Sequence, residues 1–201
     1  PVTETARFNR PARLLHWTMA ALILAMLLIG AAMVTSLADY STLVALHRPL
    51  GILILLLAGL RLANRWRHAP PPLPANLPVW QRRAAHGSHI LLYGLMLAMP
   101  LIGWAMLSAA RYPVILAGPV VLPPILPPDP MLYAALRRLH TALAYGLFAL
   151  ILAHLAAALL HALIHRDGVF ASMAPWRSRP AGTAAPPKRR SRSLESLIRS
   201  P

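Results

Sequence analysis

The chain has 201 residues, 57% of them hydrophobic and only 12% charged, with 20 Lys+Arg against 5 Asp+Glu and a mean hydropathy of +0.55. A soluble domain carries about twice that share of charge, so the net charge of +15 points to the membrane surface and the sidedness of loops rather than to nucleic acid. The absence of Cys excludes disulfides, thiolate metal sites, iron–sulfur clusters and covalent c-type haem.

In chain order, the first apolar segment lies between Arg13 and Asp39, 25 residues without a charge. A helix needs about 20 apolar residues to cross the bilayer core, so the first span is predicted over 14–36. It is too long for the h-region of a cleaved signal peptide. The second segment is less clean: PLGILILLLAGL, between Arg48 and Arg61, has only 12 uncharged residues. It spans if the helix runs over 42–64 with both Arg stems snorkelling to the interfaces. Beyond it, APPPLPANLP (69–78) predicts an extended linker near polyproline II. Arg83 and Arg111 bracket 27 uncharged residues, predicting a third span over 84–107. The Pro-rich loop 108–131 cannot be a helix and is expected to cap the helix ends with its Val, Ile and Leu. Arg138 and Arg166 bracket another 27 uncharged residues, predicting a fourth span over 132–164. Trp17, Trp66, Trp80 and Trp104 mostly suit interfacial belts.

The expected fold is therefore all-α, a transmembrane four-helix bundle over 1–171, followed by a basic, disordered cytoplasmic tail over 172–201. Four spans put both termini on one side. With that side inside, sixteen of the 20 basic residues are inner, leaving Arg48, Arg111, Arg137 and Arg138 outside. The positive-inside rule places both termini in the cytoplasm.

Ionisable groups inside spans default to function, and eight of the nine His lie in or at the spans. His140 and His154 share a face of helix 4, fourteen residues and about 21 Å apart. By topology His16 lies at the depth of His154, and His47 at the depth of His140. Two imidazoles at one depth in a bundle form a bis-His site, which suits Fe, Zn, Cu or Ni. Two such layers without carboxylate or Cys favour haem, whose porphyrin supplies the other four ligands. Gly30 and Gly51 leave bare helix faces where a macrocycle can approach; close helix packing is the ordinary reading of each. Arg61, fourteen residues after His47, suits a haem propionate or a quinone oxygen, or serves as a snorkelling anchor. His86, His89, His161 and His165 are surplus to two haems; they suit proton relay, propionate contact or the headgroup zone.

The segments RLLHW (13–17), LHRPLG (46–51), RHAPPPLP (67–74), HILLYGLMLAMPLIGWAM (89–106), LPPILPPD (122–129), LHTALAY (139–145), AHLAAALLH (153–161) and RDGVFASM (166–173) resemble the prokaryotic cytochrome b561 family in order and spacing. They also look related to the b-type subunits of membrane hydrogenases and formate dehydrogenases. The resemblance implies two non-covalent haem b groups, ligated by His16 with His154 and by His47 with His140. It implies electron exchange with ubiquinone, and superoxide oxidation at the outer face is one activity in the family. His89 and His161 match family positions near the inner haem; Arg48 is a further candidate for a propionate. Members often have Lys and a second His flanking the position of His161, where this chain has Leu160 and Ala162.

The expected partners are membrane lipid, a quinone, and superoxide or a periplasmic redox protein as donor. Two other readings compete. One is a cytochrome b anchor subunit linking a periplasmic hydrogenase or dehydrogenase to the quinone pool. The other is a His-based metal-ion transporter, which predicts a colourless protein.

Overall fold

The computed structural model describes residues 7–74 and 77–175. The basic tail from 176 onward lies outside the described residues. Four long helices form the molecule: α1 (Arg10–Thr35), α2 (Tyr40–Arg67), α3 (Val79–Ala109) and α4 (Pro130–Leu159). All four are long and apolar enough to cross a membrane. Each outruns its predicted span by one to five residues at one end or both, because polar and Arg-bearing turns continue the helix past the apolar stretch. Only 11% or less of each helix's most apolar stretch is buried within the protein. Leu28, Val34, Leu56 and Leu163 lie exposed, as a lipid-facing surface requires.

Helix starts follow local chemistry. Asn9 caps α1, its Oδ1 accepting from the Ala12 N–H at 2.8 Å. The Asn9 and Asn64 amides exchange two hydrogen bonds of 3.2 Å, tying the start of α1 to the last turn of α2. Asp129 caps α4, its carboxylate accepting from the Met131 and Leu132 N–H groups. Asp129→Ala leaves both donors bare and is expected to cost about 1 kcal/mol. A drop in the thermal midpoint of the purified protein checks this; an unchanged midpoint contradicts it.

The loop between α3 and α4 is not helical, as its prolines dictate. It forms a hairpin, β1 (Val114–Ala117) paired antiparallel with β2 (Val120–Leu122). Gly118 turns it with a φ of +51°, a region that glycine enters without strain. Val114 is buried, and β1 packs on α2. The linker after α2 is non-helical from 68 to 74. At the opposite end α4 passes into a π-turn (Leu160–His165) and, after Arg166 in the left-handed region, into a short helix α5 (Val169–Met173). The described residues run on to 175, and Ala174 is buried.

Packing is uneven. The backbones of α1 and α2, of α3 and α4, and of α2 and α3 approach most closely, whereas α4 meets α1 and α2 through side chains, Leu147 joining Met19, Ile23 and Ile54 in the core. The seam between α4 and the α1–α2 pair is bridged at the terminal end, where α5 is gripped by α1. There the Arg7 and Arg13 guanidinium groups donate to the Ala174 carbonyl at 2.8 and 3.2 Å. The Trp17 Nε1–H donates to the Met173 carbonyl at 3.0 Å, and the Phe8 N–H donates to that of Ser172.

Residues seven apart, nearly two helical turns, line the interior of all four helices. The middle layer is Ile23, Ile54, Met96 and Leu147, which with Met19 and Ala58 make the buried core. Seven residues toward the terminal end lie His16, Arg61, His89 and His154. Seven residues the other way lie Gly30, His47, Gly103 and His140. A dry apolar layer thus separates two polar ones. Seven-residue periodicity is the geometry of helices packing at about 20°.

Candidate functional site: two imidazole layers

In the terminal layer the His16 and His154 rings have centroids 6.4 Å apart; in the hairpin layer His47 and His140 are also 6.4 Å apart. A metal–imidazole bond of about 2.0 Å, with the ring centre about 1.1 Å behind the ligating nitrogen, puts two rings on one metal about 6.2 Å apart centre to centre. Both pairs stand close to that separation. In the hairpin layer the ring Nδ1 atoms of His47 and His140 are buried and make no hydrogen bond, although the Met99 backbone lies near His140. Buried donors and acceptors are nearly always satisfied, so two such nitrogens in one layer make it a place suited to a ligand.

Glycines make room for the rings of this layer. A Cβ on Gly30 would lie 3.9 Å from His47 Cε1, and one on Gly103 would lie 3.4 Å from His140 Cε1. Gly51 faces Met26 instead. Arg48 donates to the Pro113 carbonyl at 3.2 Å, fastening α2 to the hairpin. Arg111, Arg137 and Arg138 are exposed at the same end.

The terminal layer holds side chains where the other has glycines. Arg61 Nη1 donates to His16 Nδ1 at 2.9 Å, and its Nε donates to the Tyr93 hydroxyl at 3.0 Å. With Nδ1 accepting, a neutral His16 ring carries its proton on Nε2. Ligation through Nε2 therefore requires the guanidinium to leave Nδ1. Arg61 and Arg65 both lie over the Tyr93 ring, at 5.6 and 5.8 Å. His89 sits 5.6 Å from His154, ring to ring. A small cleft of about 50 Å³ opens beside this layer, with Arg61, Arg65, His68, His89 and Tyr93 in its wall.

His161 lies apart, on the π-turn. Its Nδ1 pairs with Asp167 Oδ2 at 2.6 Å, and its ring is 5.3 Å from that of His165. The structure thus brings together the four paired His, with Arg61 and His89 in one layer, and leaves Arg48 and His161 at opposite ends. Sequence reasoning passed over Tyr93, Gly103 and Asp167. Tyr93 lies one turn after His89 and Gly103 fourteen residues after it, spacings that were available. Asp167 offered only its rarity among five acidic residues.

Four membrane-length helices presenting two stacked imidazole pairs on either side of an apolar layer define a helical membrane protein suited to a ligated macrocycle. The model of the prokaryotic cytochrome b561 family matches residues 7–176, and the chain belongs to that family. Two relatives from Escherichia coli (strain K12) are similar to it. Cytochrome b561 homolog 1 is 32% identical over 131 residues, covering 65% of this chain and 74% of the relative. Cytochrome b561 homolog 2 is 31% identical over 164 residues, covering 79% and 86%. The family makes this a multi-pass inner-membrane cytochrome of the electron-transfer class, with b-type haem as its cofactor. That decides against the metal-ion transporter.

Proposed function

We propose that the chain holds two b haems and carries electrons across the membrane, from superoxide at the hairpin end to ubiquinone at the terminal end. In this reading both termini are cytoplasmic and the hairpin faces the periplasm, as the basic residues favour. His16 and His154 hold one haem, His47 and His140 the other. The observation that carries the reading is the equal 6.4 Å separation of the two imidazole pairs, stacked on α4 about 21 Å apart along the helix.

Each haem, when bound, supplies a one-electron iron couple. The chain does the rest. The imidazoles fix the iron in both oxidation states. Ile23, Ile54, Met96 and Leu147 keep water out between the layers and hold the dielectric low. Arg61 and His89, beside the cleft, suit the propionate carboxylates of the terminal haem; Arg48 suits those of the other. Arg111, Arg137 and Arg138 add a positive field at the hairpin end that attracts a small anion. His161, two turns beyond His154 on the same helix face, suits a quinone head group.

The test uses the purified protein in liposomes. A reduced-minus-oxidised spectrum with b-haem bands and two haems per chain is expected, together with superoxide-dependent reduction of ubiquinone. One haem per chain overturns the paired assignment. Two haems with quinone reduction only in the presence of a copurifying periplasmic dehydrogenase would favour the anchor-subunit reading.

A further inference from the structure

The His161–Asp167 pair lies outside both imidazole layers, and its local structure is unusual. The chain leaves regular α-helix one residue before His161: the π-turn begins at Leu160. Such turns are rare and gather at functional sites. Arg166 then adopts a φ of +49°, uncommon for a non-glycine residue, and Gly168 one of +82°. The result folds Asp167 back onto the turn. One carboxylate oxygen pairs with His161 Nδ1 at 2.6 Å; the other accepts from the Val169 N–H at 3.1 Å. Both side chains are largely buried, 16% and 13% exposed. It is the only ion pair among the described residues. α5, whose first N–H Asp167 accepts, is in turn held at its far end by Arg7, Arg13 and Trp17 from the segment that opens α1. The carboxylate is thereby fixed from both sides.

We infer that Asp167 is a positioning residue that makes His161 the proton-exchanging group of the terminal-end quinone site. This deepens the quinone reading above and rests on it. With Nδ1–H donated to Asp167, the ring tautomer is set and only Nε2 is left for a ligand. Quinone reduction consumes two electrons and two protons per quinol. The electrons arrive singly by way of the terminal layer. His161 Nε2–H gives a proton to a quinone oxygen, and the ring is reprotonated from the aqueous phase on that side before the second transfer. The Asp167 carboxylate keeps hold of Nδ1–H throughout and so steadies the ring between transfers. His165, exposed and 5.3 Å from His161 ring to ring, stands between His161 and water. The other charged group on the turn is Arg166, whose Nε is taken by the Leu163 carbonyl. α5 itself has no titratable side chain.

The experiment compares two oxidants of the dithionite-reduced, haem-loaded protein: a water-soluble ubiquinone, which takes protons, and ferricyanide, which does not. Asp167→Asn puts an amide where the carboxylate fixed the tautomer. It is expected to slow oxidation by quinone on the order of 10- to 100-fold, the loss typical when a residue that orients a functional histidine is removed. Oxidation by ferricyanide and the haem content stay unchanged, and the solvent deuterium isotope effect on the quinone reaction rises. His161→Gln should show the same split, and Asp167→Glu should recover part of the rate. Equal slowing with both oxidants, or quinone oxidation untouched in Asp167→Asn and His161→Gln, overturns the inference. Failure of the wild-type protein to react with quinone removes the quinone reading itself, and this inference with it.

Discussion

His154→Ala is expected to leave a protein with one haem in place of two and with transmembrane electron transfer reduced to background. The side chain removed is half of the terminal pair, and nothing in that layer reproduces it. Arg61 offers no lone pair. His89, whose ring lies 5.6 Å from that of His154, sits on α3, on another side of the seam from His16. The remaining pair, His47 with His140, begins about 21 Å away along α4, beyond the apolar layer of Leu147 and its neighbours. It should keep its haem and its spectrum. His140→Ala is the mirror case, losing the hairpin-end haem alone. Haem-to-protein ratios and the low-temperature spectra of the two variants check both statements. Two haems retained in His154→Ala would mean that the ligand pairing is different, with His89 the first alternative to examine.

Gly103→Val should empty the hairpin-end site without touching any proposed ligand. A Cβ at position 103 already lies 3.4 Å from His140 Cε1 and 3.8 Å from its Nδ1. The two methyls of valine reach about 1.5 Å further, into a ring held among packed neighbours that yield little. The ring has to turn or α3 has to move away, and either change spoils a metal bond that tolerates a few tenths of an ångström. Helix stability is not the cause, since replacing glycine within a helix does not weaken it. Gly94→Val is the control: the same helix, with nothing within 4 Å of the added Cβ. Expected are loss of most of the hairpin-end haem in Gly103→Val, full occupancy of the terminal site in both variants, and two haems in Gly94→Val. Equal haem content in the two variants would place the hairpin-end haem elsewhere.

The spans and the depth of each His were legible because charge is costly in hydrocarbon. The gaps after Arg13, Arg83 and Arg138 therefore mark helices almost by themselves. The pairing of His16 with His154 followed from counting turns and alternating direction. The interior stripe was harder to see. In a membrane helix the lipid side is as apolar as the core, so Ile23, Ile54, Met96 and Leu147 look no different from Leu28 or Leu56. Only the polar residues on the stripe betray it. The hairpin of residues 114–122 was hidden for another reason. Strand pairing is a non-local bargain between Val114 and Leu122, and the prolines around it signal only the absence of helix. The π-turn was beyond reach, because one extra residue in a turn leaves no trace in a uniformly apolar sequence. The bond between Arg61 and His16 crosses helices and could be foreseen as a shared layer but not as a contact.

Both imidazole pairs draw one member from α4, and α4 is the last long helix of the chain. During synthesis the first three spans can enter the membrane with His16, His47 and His89 in place, yet none of the pairs is complete. On the proposed ligand set, haem capture is therefore the closing event of biogenesis rather than a guide to it. It waits for residue 140 at one end and for residue 154 at the other. The grip of Arg7, Arg13 and Trp17 on residues 172–174 comes later still. A nascent chain stalled before Pro130 would be an apolar three-helix hairpin with unpaired histidines and no means of retaining the cofactor.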